Sequence, residues 1–155
     1  MEKLSLSVRQ TLKIGRALAQ QLKGGEIILL SGELGAGKTV LAKGIAEGLG
    51  VSKNEVISPT FVLLRLYKGS RILQHFDLYR IKDAGEIFAL GYEEYFYSDA
   101  VTVIEWPERL KFLLPKESLK IKLSSKGKNK RLLKFSAKGK QYKHLLEKID
   151  ENISD

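Results

Sequence analysis

The run Gly32-Glu33-Leu34-Gly35-Ala36-Gly37-Lys38-Thr39 is where residue type and spacing point most directly to chemistry. It fits G-x-x-x-x-G-K-[ST] throughout, the Walker A pattern of a phosphate-binding loop. Small residues let the backbone curl around an anion, so that successive N–H groups point inward. A helix beginning at Lys38 adds the positive end of its dipole. In such a loop Lys38 reaches the β- and γ-phosphates of a nucleotide and the Thr39 hydroxyl ligates Mg²⁺. Glu33, Leu34, Gly35, Ala36, Gly37, Lys38, Thr39 and Val40 are therefore the candidate nucleotide-binding residues.

A phosphate loop of this kind works with a second acid near the metal, at the C-terminal end of a neighbouring strand. Two residues qualify. Glu105 ends V-T-V-I-E, a continuous apolar run, and Asp77 lies in Q-H-F-D-L-Y-R. One can be the metal ligand and the other can orient a water or substrate; the alternative for each is an ordinary strand-end acid facing solvent. Lys38, Asp77 and Glu105 form the candidate catalytic set, with Thr39 and Glu105 as metal ligands. Ser58-Pro59-Thr60 follows the helix after the loop, where nucleotide-sensing switches lie in many P-loop proteins, and is otherwise a simple turn before a strand. No N-K-x-D segment is present to read a guanine, which favours ATP over GTP. Trp106, the single tryptophan, is open to two readings, a partner-binding or stacking residue at a strand end or a core residue. His75, two positions from Asp77, reads as structural.

The elements that must position these residues follow from periodicity. Leu4 to Leu22 has apolar residues at roughly helical spacing, ended by Gly24-Gly25. E-I-I-L-L-S, residues 26–31, is a buried strand leading into the loop, and Lys38 to Leu49 is a helix stopped by Gly50. Phe61–Tyr67 and Ile72–Leu78 flank K-G-S-R and read as a hairpin. Asp83 is placed to cap a helix running to about Leu90; Gly91 interrupts it, and Tyr92–Tyr97 resumes. Val101–Glu105 is a second buried strand, ended by Trp106-Pro107. Leu119–Leu123 and Leu132–Phe135 alternate around K-G-K-N-K as a second hairpin, and a helix from about Gln141 to Ile153 follows. The expected fold is α/β: a three-layer P-loop NTPase fold whose mixed, largely parallel central sheet carries β-hairpin additions.

Composition sets the outer limits. At 155 residues the chain reads as a single domain, 1–155, with a basic hairpin and helix at about 116–155. It has no cysteine, hence no disulfide or thiolate metal site, and two separated histidines offer little for a zinc centre. No signal peptide or membrane-length apolar run is seen, so a cytoplasmic location is expected. The net charge of +9 is uneven: residues 111–155 hold 13 Lys/Arg against 5 Asp/Glu. That basic third fits RNA, a nucleotide or an acidic protein, or is simply a solvated lysine-rich surface.

G-E-L-G-A-G-K-T, S-P-T-F, H-F-D-L-Y-R and V-I-E-W, in this order, resemble the bacterial TsaE (YjeE) ATPases of tRNA threonylcarbamoyladenosine biosynthesis. The resemblance runs from the first helix to about Arg131. It implies an accessory ATPase using ATP and Mg²⁺ that binds the TsaD–TsaB pair and resets it between turnovers, with tRNA contact indirect. It also implies that Thr39 and Glu105 are Mg²⁺ ligands and that Gly35 to Lys38 cradle the phosphates. Asp77 becomes a catalytic or coupling acid, Trp106 a functional residue near the nucleotide, and Thr60 part of a switch-like loop. Arg131 falls near the nucleotide, and Thr11 where the first helix approaches the base. Two other classes stay open from the residues themselves: a small-molecule kinase on the same loop, and a nucleotide-gated RNA-binding module.

Overall fold

The computed structural model describes residues 1–56 and 62–153. A seven-stranded sheet runs through it in the order β1-β7-β6-β2-β5-β4-β3. The strands are β1 (Glu2–Ser5), β2 (Ile27–Ser31), β3 (Leu64–Lys68), β4 (Ile72–Asp77), β5 (Val101–Glu105), β6 (Ser118–Ser125) and β7 (Arg131–Lys138). The central pairs β6·β2, β2·β5 and β5·β4 are parallel, whereas β3·β4, β6·β7 and β1·β7 are antiparallel. This is the mixed sheet with a parallel middle that the sequence predicts.

Helices cover both faces. On one side α1 (Val8–Ala19), α2 (Lys38–Gly48) and α5 (Lys140–Asn152) close over Leu30, Val103, Ile121 and Phe135. On the other, α3 (Gly85–Ala89), α4 (Tyr92–Phe96) and a 3-10 helix, Pro107–Leu113, close over Leu29, Phe76 and Ile104. The β2 run IILLS is buried at every position, as a strand covered on both faces must be.

Helices α1 and α2 touch almost backbone to backbone. A Cβ on Gly44 would stand 2.5 Å from the Leu12 carbonyl oxygen, and one on Gly15 2.7 Å from that of Leu41. Three glycines, Gly15, Gly44 and Gly48, thus set this crossing, and α2, which begins at the phosphate loop, lies close against α1.

The structure corrects two expectations. The apolar residues from Leu4 do not begin a helix: Glu2–Ser5 is a strand paired with β7, and the helix starts at Val8 behind the cap Ser7, whose Oγ accepts from Gln10 N at 3.1 Å. Asp83 is not the cap residue of α3; Ala84 is, although Asp83 Oδ1 does accept from Gly85 N at 2.7 Å. The strand Val101–Glu105 ends at Trp106-Pro107 as the sequence predicts, and a 3-10 helix follows. The Lys-rich hairpin joins the central sheet: β6 hydrogen-bonds to β2 in parallel and carries β7 and β1 to the sheet edge.

Candidate nucleotide site

The β2–α2 connection forms the loop that the motif predicts. Gly32, Gly35 and Gly37 hold φ of 142°, 78° and 102°, a region closed to most side chains. Gly37 is the cap residue of α2, and no side chain caps the helix. Its first-turn N–H groups therefore face the loop without intrahelical acceptors, as an anion site requires.

Lys38 folds back over this loop. Its Nζ donates to the carbonyls of Gly32 at 2.6 Å and Glu33 at 2.8 Å, and lies 4.1 Å from the centroid of the Trp106 ring. Burial pushes the Lys38 ammonium below its usual pKa, against the pull of Glu105, Glu108 and Asp77. The site thus combines a desolvated cation with acids that keep it charged.

The acids stand side by side. Asp77 ends β4 and Glu105 ends β5, directly opposite each other in the parallel register. Thr39 Oγ1 donates to Glu105 Oε1 at 2.9 Å, tying the start of α2 to the end of β5. Asp77 Oδ1 accepts from Tyr79 N at 3.0 Å. A cleft of about 290 Å³ brings Lys38, Thr39, Asp77, Glu105, Trp106 and Arg131 together, and Leu34, Gly35, Gly37 and Val40 line it too. Of the remaining loop residues, Glu33 and Ala36 line a second cleft beside the first.

Trp106 occupies an unusual backbone position. It has φ 60° and ψ 51°, left-handed for a bulky residue, and its ring lies 5.0 Å from that of Tyr79. Such strain costs on the order of 1–3 kcal/mol and clusters at functional sites. Arg131 reaches across from β7: its Nη2 donates to the Gly35 carbonyl at 3.3 Å, and its Nη1 to that of Gly127 at 3.0 Å. Thr11 is placed differently. It is buried on α1, its hydroxyl 2.8 Å from that of Ser5 and donating to the Ser7 carbonyl, so it pins β1 to α1. Ser58 and Thr60 lie outside the described residues.

One residue joins the site that sequence reasoning set aside. His75 Nε2 lies 2.6 Å from Glu105 Oε2, with both side chains 2% exposed. Opposite an acceptor-only carboxylate, the shared proton sits on Nε2. Each Glu105 oxygen thus has its own donor. The signal was present in H-F-D: positions 75 and 77 share one face of β4, next to the strand ending at Glu105.

Magnesium takes oxygen ligands, one or two from carboxylates and the rest from phosphate and water. Thr39 Oγ1 and Glu105 Oε1 already adjoin, with Asp77 beside them, so the donors fit that ion. Among the described residues no group of three or more His, Cys, Asp or Glu is arranged to hold a metal alone.

A parallel strand, a glycine loop, a helix opening on Lys-Thr and an acid on the adjoining strand define a P-loop protein. Residues 5–133 match the family model for threonylcarbamoyl adenosine biosynthesis protein TsaE. The chain is 38% identical to the tRNA threonylcarbamoyladenosine biosynthesis protein TsaE of Bacillus subtilis, over 97% of this chain and 96% of the relative. It is 40% identical to the TsaE of Treponema pallidum, over 79% of this chain and 90% of the relative. The crystal structure of Bacillus subtilis YdiB superposes with a TM-score of 0.84 at 31% identity, covering 99% of this chain and 96% of that one. The chain belongs to the TsaE family.

Proposed function

We propose that this single P-loop domain binds ATP with Mg²⁺ and hydrolyses it as an accessory step in the threonylcarbamoyl modification of tRNA adenosine next to the anticodon, acting on the TsaD–TsaB complex. The observation that carries the reading is the convergence of Lys38, Thr39, Glu105 and Asp77 at the uncapped start of α2. The names of the relatives support the pathway.

The parts have separate tasks. The N–H groups of Gly35 to Thr39 and the Lys38 ammonium hold phosphate oxygens, and Arg131 closes over the loop from β7. Thr39 and Glu105 would hold the ion, which would supply positive charge to neutralise that developing on the transferred phosphoryl group. Asp77, beside Glu105 and fixed by Tyr79 N, orients the attacking water. Trp106, its ring tilted against that of Tyr79, forms the wall against which Lys38 rests. Ser58 and Thr60 belong to the segment that senses the γ-phosphate. No described helix is long and apolar enough to cross a membrane, in keeping with work in the cytoplasm.

The test is phosphate release from ATP, with and without TsaD, TsaB and tRNA, for wild type and Glu105→Ala. Slow release that the partners accelerate, lost in the variant, supports the reading. A phosphorylated small molecule in place of free phosphate overturns it in favour of a kinase. Partners that neither bind nor change turnover overturn the accessory role.

A further inference from the structure

The sheet face opposite α1, α2 and α5 is covered by α3, α4 and the 3-10 helix only as far as β2. Beyond it, the outer residues of β6 and β7 are open. Leu119, Ile121, Leu123, Leu133 and Phe135 turn to the α1–α2–α5 core, so the alternate positions Lys120, Lys122, Lys134, Ser136 and Lys138 turn outward, and all five are exposed. Register places Lys122 directly opposite Lys134, and Lys120 opposite Ser136. Like charges directly opposite in a ladder destabilise it. Only Lys134 is answered, by Glu2 at 2.8 Å. Among the described residues, Lys120, Lys122 and Lys138 have no carboxylate within ion-pair distance.

This face leads to the nucleotide loop. Lys120 and Lys122 line a cleft of about 710 Å³ with Glu33, Trp106, Glu108 and Ser31. Ser31 lies opposite Lys122 in the β2·β6 register, and its hydroxyl is buried without a hydrogen-bond partner. At the same end of the hairpin, the β6–β7 turn adds exposed Lys126, Lys128 and Lys130.

We propose that the open β6–β7 face binds the phosphate backbone of RNA. Alternate lysines along a strand stand roughly 6.5–7 Å apart, a step comparable to that between successive phosphates of a nucleic-acid strand. Ser124 and Ser136 set hydroxyl donors on the same face, and donors of this kind hold phosphates without reading bases. Arginine forks and aromatic platforms, the usual readers of base edges and faces, are missing from these outward positions. A protein partner fits less well. Protein interfaces are depleted in lysine and centred on apolar or aromatic anchors, whereas here leucine appears only at one end, as Leu132 and Leu4. The commitment to RNA draws support from the tRNA reading above, but the nucleotide site is independent of it.

The test is fluorescence polarisation of a labelled, unmodified tRNA transcript over a series of KCl concentrations. Wild type is compared with K122Q/K134Q on the face and with K13Q/K143Q, two exposed lysines on α1 and α5 across the sheet. Wild-type affinity falls steeply with salt. Each phosphate contact contributes about 0.7–0.9 to the logarithmic slope, so K122Q/K134Q lowers its magnitude by about 1.4 to 1.8 and weakens binding at least tenfold at low salt. K13Q/K143Q leaves the slope unchanged. Equal losses in both variants would reduce the effect to net charge and overturn the proposal. So would a wild type that does not bind RNA at low salt, or a face variant that loses TsaD–TsaB binding with RNA binding intact. The thermal midpoint of K122Q/K134Q should stay close to that of wild type, because a like-charge pair and the exposed Glu2–Lys134 pair are removed together. Its Trp106 fluorescence response to ATP, which follows from the contact of Lys38 with that ring, should be kept; that readout separates failure of this proposal from failure of the nucleotide reading.

Discussion

Replacing His75 by leucine should cost about 3 kcal/mol of stability without any nucleotide present. Glu105 is a buried carboxylate with one donor per oxygen, Thr39 at 2.9 Å and His75 at 2.6 Å. A hydrogen bond to a charged group is worth about 1.5–3 kcal/mol net, and stripping one partner from a buried charged pair costs about 3–5 kcal/mol. The leucine is of similar bulk, so little cavity cost is added, and the Thr39 bond remains; the value should fall where the two ranges meet. At this chain length about 3 kcal/mol lowers the thermal midpoint by about 6–12 °C. Urea unfolding of wild type, His75→Leu, Glu105→Ala and the double variant closes a cycle. If His75 acts through Glu105, its replacement costs less than about 1 kcal/mol once Glu105 is alanine, giving a coupling of about 2 kcal/mol, within the range for residues in contact. An equal cost in both backgrounds would show that His75 merely fills space and would refute the reasoning.

Lys38→Ala should abolish the change in Trp106 fluorescence on adding ATP, since Lys38 rests 4.1 Å from that ring and leaves it when it follows the phosphates; a titration that still saturates in the variant would contradict this. Gly44→Ala should destabilise by about 1–3 kcal/mol, because its Cβ would meet the Leu12 carbonyl oxygen at 2.5 Å; an unchanged urea midpoint would mean that α1 and α2 do not cross this closely. Tyr142→Phe should cost about 1–3 kcal/mol by leaving buried Ile27 N without its acceptor at 2.8 Å. Burial also raises the Tyr142 pKa above 10.0, with the Ile27 bond opposing. The unfolded chain therefore ionises first, and stability is full below pH 10 and falls as pH rises through the folded value. Urea unfolding above pH 10 should show that fall flattened in Tyr142→Phe.

The loop and its two acids were legible because each is local. G-E-L-G-A-G-K-T states its own backbone conformation, and V-T-V-I-E states a strand with an acid at its end. What escaped the sequence depends on which strands become neighbours. Leu4 fell into a helical spacing by coincidence, and only pairing with Leu132 of β7 makes it a strand residue. The cue was Ser7-x-x-Gln10, where Ser7 Oγ accepts from Gln10 N and Gln10 Oε1 accepts from Leu6 N at 2.7 Å, so the helix is closed off before Leu4. The same pairing brings Ser5 against Thr11, a contact that the first helix alone does not announce.

His75 and the lysine face share a cause. Histidine in H-F-D becomes a donor to Glu105 only because β5 lies beside β4, across 30 residues of chain. Lysines in L-K-I-K-L read singly as the solvated face of a hairpin, and the alternation says only that they point away from the core. Whether that outer face is covered depends on where α3, α4 and the 3-10 helix stop, and they stop at β2. The alternation that buries Ile121 and Phe135 under α5 therefore also faces Lys122 against Lys134, and β6, as the parallel neighbour of β2, carries that repulsive pair up to the back of the phosphate loop. A polyanion seated there would relieve the repulsion, and nucleotide and RNA would then be held on two hydrogen-bonded neighbours, β2 and β6.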